Sequence, residues 1–65
     1  MFRIQLYGKG RDGKMNVEQI GQPFFDLKRA IARAEFLAKT TYHWGKPAGF
    51  RIIDESKAVV HEAAV

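Results

Sequence analysis

Residues Asp26 to Tyr42 read as one amphipathic helix in a chain otherwise written in strand-length pieces. Leu27, Ala30, Ile31, Ala34, Leu37, Ala38 and Thr41 recur at the i, i+3, i+4, i+7 spacing of a core-facing stripe. Asp26 is placed to cap the first turn, where its carboxylate accepts from free backbone amides and suits the positive end of the helix. Phe25, just before the cap, is positioned to staple onto the first turns. Ala30, Ala32, Ala34, Leu37 and Ala38 are strong helix formers, Thr40, Thr41 and Tyr42 weaken the helix, and Gly45 with Pro47 ends it. One helix covers one side of a sheet, so the rest of the chain must supply that sheet.

Phe2, Ile4 and Leu6 alternate with Arg3, Gln5 and Tyr7, the period of a half-buried strand. Gly8 to Lys14 holds three glycines and an Asp-Gly step, which is hairpin-loop chemistry. A second strand through Met15, Val17 and Ile20 follows and stops at Gly21, Gln22 and Pro23. After the helix, Phe50 to Ile53 and Ala58 to His61 form another hairpin about the polar turn Asp54 to Lys57. If Ile53 pairs with Ala58, then Phe50, Ile52 and Val59 share one sheet face, and Arg51, Ile53, Ala58 and Val60 share the other. Both faces are then partly apolar, with one helix to cover one of them.

Sixty-five residues are expected to form a single domain, residues 1–65, near the lower limit for independent folding. A chain of this size buries only about 60% of its unfolded surface. Eight aromatic residues and a 46% hydrophobic fraction place it among globular chains. The absence of cysteine excludes disulfides and thiolate metal sites and points to a reducing cytoplasm. No apolar run exceeds three residues, so neither a signal-peptide core nor a membrane span is expected. The net charge is +4, unevenly spread: residues 1–53 carry ten basic and four acidic side chains, residues 54–65 one and three. Such a body attracts polyanions at long range, and it is also ordinary solubility chemistry for a small domain.

Catalytic patterns fail on context. Gly8, Gly10 and Gly13 spell the spacing of a dinucleotide-binding turn, but they lie between two strands rather than before a helix. His43 and His61 do not form a ligand pair by local spacing, and there is no cysteine to complete a zinc set. Ser56 is the sole serine, in a turn that favours small polar residues on structural grounds. Neither a nucleophile with its base nor a cofactor site is visible, so the expectation is a non-enzyme that uses no cofactor.

What remains points to binding. Lys9, Arg11 and Lys14 line the first hairpin loop, and Arg29, Arg33 and Lys39 lie on the helix face away from the stripe; together they are the candidate polyanion contacts. Tyr7 and Trp44 are the aromatics that could stack on a base, although Trp44 also suits the rim of the core. Phe36 sits opposite the stripe with Arg29 and Arg33 one turn back, and with Ile53, Ala58 and Val60 it makes up the candidate self-association surface.

The run Ala30-Ile31-Ala32-Arg33-Ala34-Glu35-Phe36-Leu37-Ala38, followed by Phe50-Arg51-Ile52-Ile53-Asp54-Glu55-Ser56-Lys57-Ala58-Val59-Val60, resembles families of small bacterial proteins. Those families join two short strands, an alanine-rich helix and a closing hairpin, although here Ser56-Lys57 stands where such hairpins often place a glycine. The resemblance implies a ββαββ fold and carries over no functional residue. The expected fold is therefore α+β, a four-stranded, mainly antiparallel sheet with one helix packed on one face. The expected function is a small non-enzymatic interaction module that forms a homodimer or binds a protein partner; the alternative is a nucleic-acid-binding module acting through the hairpin loop and the helix face. A membrane partner is not expected.

Overall fold

A computed structural model describes residues 1–65. Its elements run β1 (Phe2–Lys9), β2 (Met15–Phe24), α1 (Leu27–Ala38), β3 (Gly49–Ile53) and β4 (Val59–Ala64). The strands form one open antiparallel sheet in the order β2-β1-β3-β4, with α1 on one face. The fold is the α+β ββαββ arrangement that the periodicity predicts.

The core lies between the helix stripe and the two middle strands. Ile4, Leu6, Phe50 and Ile52 point from β1 and β3 towards Ala30, Ala34 and Ala38 of α1, and all seven are buried. Ile4 pairs with Ile52 and Leu6 with Phe50, so the large side chains sit side by side on the sheet. Alanines opposite them let the helix backbone settle close to that layer, with no rotamer entropy lost on the helix side. Phe2, Ile20, Phe24, Leu27, Ile31 and Leu37 close the rim.

Three local expectations change. The helix ends at Ala38 rather than Tyr42, because Tyr42 turns back and its hydroxyl donates to the Leu37 carbonyl at 2.8 Å. Thr41 is therefore exposed and outside the stripe. Phe25 is 85% exposed and staples nothing; Phe24, the last residue of β2, packs on the core instead. The second strand does not stop at Gly21 but continues to Phe24 through an irregularity opposite Arg3, with Gly21 at φ +78°. Asp26 caps α1 as expected, accepting from the Lys28 amide at 3.0 Å.

The closing hairpin also differs in register. Ile53 pairs with Val59, not Ala58, and a bulge at Val60 brings His61 opposite Ile52. The helix-facing side is thus Phe50, Ile52, His61 and Ala63, and Ala58 falls outside the strand. Asp54 sets this register: its Oδ1 accepts from the Ser56 amide at 2.9 Å, the Ser56 hydroxyl at 2.7 Å and the Ala58 amide at 3.0 Å. Lys57 takes the left-handed conformation, φ +68°, at the place where a glycine is common.

The sheet face away from α1 is more polar than the sequence implies. Arg51 donates to the Gln5 side chain at 2.8 Å across paired strands, with Gln19 and Glu62 in the same row. Beside that row Tyr7 crosses the backbone of Gly49: a Cβ built on Gly49 would stand 2.5 Å from the Tyr7 hydroxyl and 2.6 Å from the Ala63 carbonyl.

Gly49→Ala is expected to destabilise the fold by about 2 kcal/mol, read as a lower denaturant midpoint at constant slope. Hydrogen bonds from Ser56 and from the Ala58 amide hold the Asp54 carboxyl below the ordinary carboxylate range. Its contribution is present above the unfolded value, near 4, and is lost as pH falls through the lower folded value. The stability gap between the wild type and Asp54→Asn should therefore be constant above about pH 5 and close in acid, measured by denaturation at each pH.

Candidate functional site

The chain's cations and carboxylates are put to different uses. All three aspartates build turns or caps: Asp12, Asp26 and Asp54 each accept from the backbone amide two residues on, at 3.0, 3.0 and 2.9 Å. Glu18 accepts from the Trp44 indole at 2.8 Å. The one ion pair joins the N-terminal ammonium to Glu55 at 3.1 Å. Every lysine and arginine side chain is thus free of a carboxylate partner.

Topology sorts the six predicted polyanion contacts into three places. Lys9, Arg11 and Lys14 stand exposed on the β1–β2 hairpin, which Gly10 and Gly13 close by backbone bonds of 2.9 and 3.0 Å. Lys39 is at the end of α1, on the rim of a trough beside β4. Arg29 and Arg33 are on the outer face of the helix, where the Arg33 guanidinium lies 5.1 Å from the centre of the Phe36 ring.

The hairpin gains neighbours that the sequence did not announce. Residues Tyr42 to Ala48 fold over it, beginning with a tight turn in which Tyr42 and Gly45 exchange backbone bonds of 2.9 and 3.0 Å. A Cβ on Gly8 would stand 2.8 Å from the Ala48 nitrogen and 3.0 Å from the Lys46 carbonyl, and one on Gly10 would stand 3.2 Å from the Trp44 carbonyl. Of the three glycines that imitate a dinucleotide motif, Gly13 takes the left-handed turn conformation at φ +78° with open space around it, while Gly8 and Gly10 let two backbones touch. They bring His43 and Lys46 to the loop of Lys9, Arg11 and Lys14, and separations of some thirty residues hid this from periodicity.

Trp44 is held rather than loose. Its ring stacks on Tyr42, with centroids 5.8 Å apart and planes 9° from parallel, while Glu18 fixes the indole N–H. Glu18 is on the helix-facing side of β2, opposite Leu6, so Met15 and Val17 turn outward. The inward side of this strand end belongs to the tryptophan. Burial raises the Tyr42 phenol above its ordinary value, and the charge of Glu18 adds to that.

No family model, curated protein or solved structure matches the chain.

The four residues of the expected self-association surface do not share a face. Ile53 is only 6% exposed, Phe36 projects from the outer side of the helix at 61%, and Ala58 belongs to the turn. Val60 alone stays exposed on a strand, at the β4 bulge. The apolar opening lies elsewhere. α1 packs on β1, β3 and β2 and covers β4 least. This leaves a trough of about 500 Å³ floored by Phe50, His61 and Ala63, walled by Ile31 and closed by Val65. His61 stacks on Phe50 there at 5.8 Å.

No three His, Asp or Glu side chains converge on a common point. The Ser56 hydroxyl is spent on Asp54. No helix is long and apolar enough to cross a membrane.

Glu18→Ala is expected to cost about 1 kcal/mol of stability and to free the indole. Because Trp44 is the only tryptophan, faster acrylamide quenching of its emission reads that release directly.

Proposed function

We propose that this protein is a non-enzymatic interaction module that self-associates along β4. The observation that carries the reading is the difference between its two sheet edges. The β2 edge is broken by Gly21 and Pro23, features that keep an edge from pairing. Beyond its bulge at Val60, β4 runs regularly through His61, Glu62, Ala63 and Ala64, and it contains neither proline nor lysine. Its outer row of amides and carbonyls is open to a further strand.

Apolar surface lies along the same edge. Val59, Val60 and Val65 are 49%, 41% and 65% exposed, and the trough beside the helix runs along the inner side of β4. A second copy laid antiparallel about a two-fold axis would extend the sheet edge to edge and cover these valines in both chains. For a chain with only eleven buried residues, added apolar burial is a large share of its stability.

Sedimentation velocity across micromolar concentrations tests this. The expected result is a reversible dimer whose dissociation constant rises at least about tenfold in Val60→Lys, which places a charge on the edge. A monomer at every concentration overturns the reading.

A further inference from the structure

We propose that the β1–β2 hairpin and the Tyr42–Ala48 loop together form a binding site for single-stranded nucleic acid, with phosphates along Lys9, Arg11, Lys14 and Lys46 and a base against Trp44. The hairpin of this site lies across the sheet from β4, with β1 and β3 between them, and the loop meets the chain after β4 only at its last residue, where the Ala48 carbonyl accepts from the Val65 amide at 2.9 Å. It stands or falls independently of self-association.

Four unpaired cations are carried by two chain segments whose backbones approach closely at Gly8 and Gly10: Arg11 and Lys14 in the hairpin loop, Lys46 in the loop after the helix, and Lys9, which pairs with Met15 on the sheet face away from the helix, at the hairpin's rim. Lys9, Arg11, Lys14 and Lys46 are all exposed. The carboxylates of this hairpin already have donors: Asp12 takes the Lys14 amide and Glu18 the Trp44 indole. Neither lies within ion-pairing distance of the four cations.

Between the two segments is a cleft of about 220 Å³ lined by Gly10, Arg11, Asp12, Asn16, His43 and Trp44. It offers a flat ring with amide, carboxylate, imidazole and guanidinium groups, the set that recognises the face and edge of an unpaired base. Asn16 is oriented by its bond to the Lys14 carbonyl at 3.1 Å, and Trp44 by Tyr42 and Glu18. Little side-chain freedom is left to lose on binding. An acidic peptide would use the lysines and ignore the ring, whereas a duplex hides its base faces from it.

The test titrates the whole chain with a labelled oligothymidylate or oligouridylate of about ten nucleotides, at about 20 mM salt, reading anisotropy and Trp44 emission together. The expected result is saturable loss of Trp44 emission in step with the anisotropy, and an affinity that falls with salt with a slope of about −2 to −3 on logarithmic axes. Replacing Lys9 and Lys46 together by Gln should reduce that slope by about 1.4 and weaken binding about tenfold at low salt. The pair Lys28→Gln and Lys57→Gln, at the opposite end of the sheet, should leave both unchanged. All four positions are exposed, and circular dichroism checks that each variant is folded. Absence of binding overturns the proposal. So does binding without a change in Trp44 emission, an equal loss in the control pair, or equal or tighter binding of a duplex or of polyglutamate.

Discussion

Everything in this small fold depends on one contact, the alanine stripe of α1 lying on the paired side chains of β1 and β3. Ala30, Ala34 and Ala38 contribute little area themselves, yet their shortness lets the helix cover Ile4, Leu6, Phe50 and Ile52 completely enough to exclude water. The same economy limits how far the cover reaches. A twelve-residue helix over the middle strands leaves both sheet margins thinly roofed, and each margin is finished differently. At the β2 margin the chain supplies Trp44 and Tyr42 as a lid. At the β4 margin nothing comparable is supplied, and the trough remains.

The periodic elements could be read from residues alone because their signal is local. The helix stripe, the Asp26 cap and the alternation in β1 each depend on neighbours within a turn or two of the chain. Register was harder. Whether Ile53 faces Ala58 or Val59 depends on how Asp54 spends its acceptor and on a bulge one residue later, and a slip of one position exchanges the faces. The slip moves Val59 onto the face away from α1, opposite Ile53, and turns His61 towards the helix; Ile53 keeps the expected face, where it is only 6% exposed. The hairpin cations were visible as a run, but Lys46 and His43 joined them only through backbone contacts at glycines whose spacing resembles a different motif. Tertiary proximity of that kind leaves no period in a sequence.

A division of labour among charged residues connects fold to surface. Aspartates act as short acceptors that set two turns and a helix cap, while no basic side chain is paired with a carboxylate; Arg51 donates to Gln5 and Arg33 lies over the Phe36 ring. The aspartates therefore build, and the lysines are left to the solvent. Most of the basic side chains of residues 1–53 are thus exposed at the molecular surface, on the hairpin, on the outer side of the helix and in the loop after it.

The strand order has a consequence for synthesis. β1 precedes the other three strands along the chain, yet it is a central one, and its second neighbour β3 is separated from it by β2, the helix and the loop. Until Gly49–Ile53 has left the ribosome, Ile4 and Leu6 lack their paired floor and the helix has only half a sheet to rest on. Chain growth at about 5–20 residues per second gives this unfinished half a lifetime of seconds, with one edge of β1 bare. The nascent β1–β2 hairpin is therefore open to misassociation, and the sheet closes only once β3 is available to pair with β1.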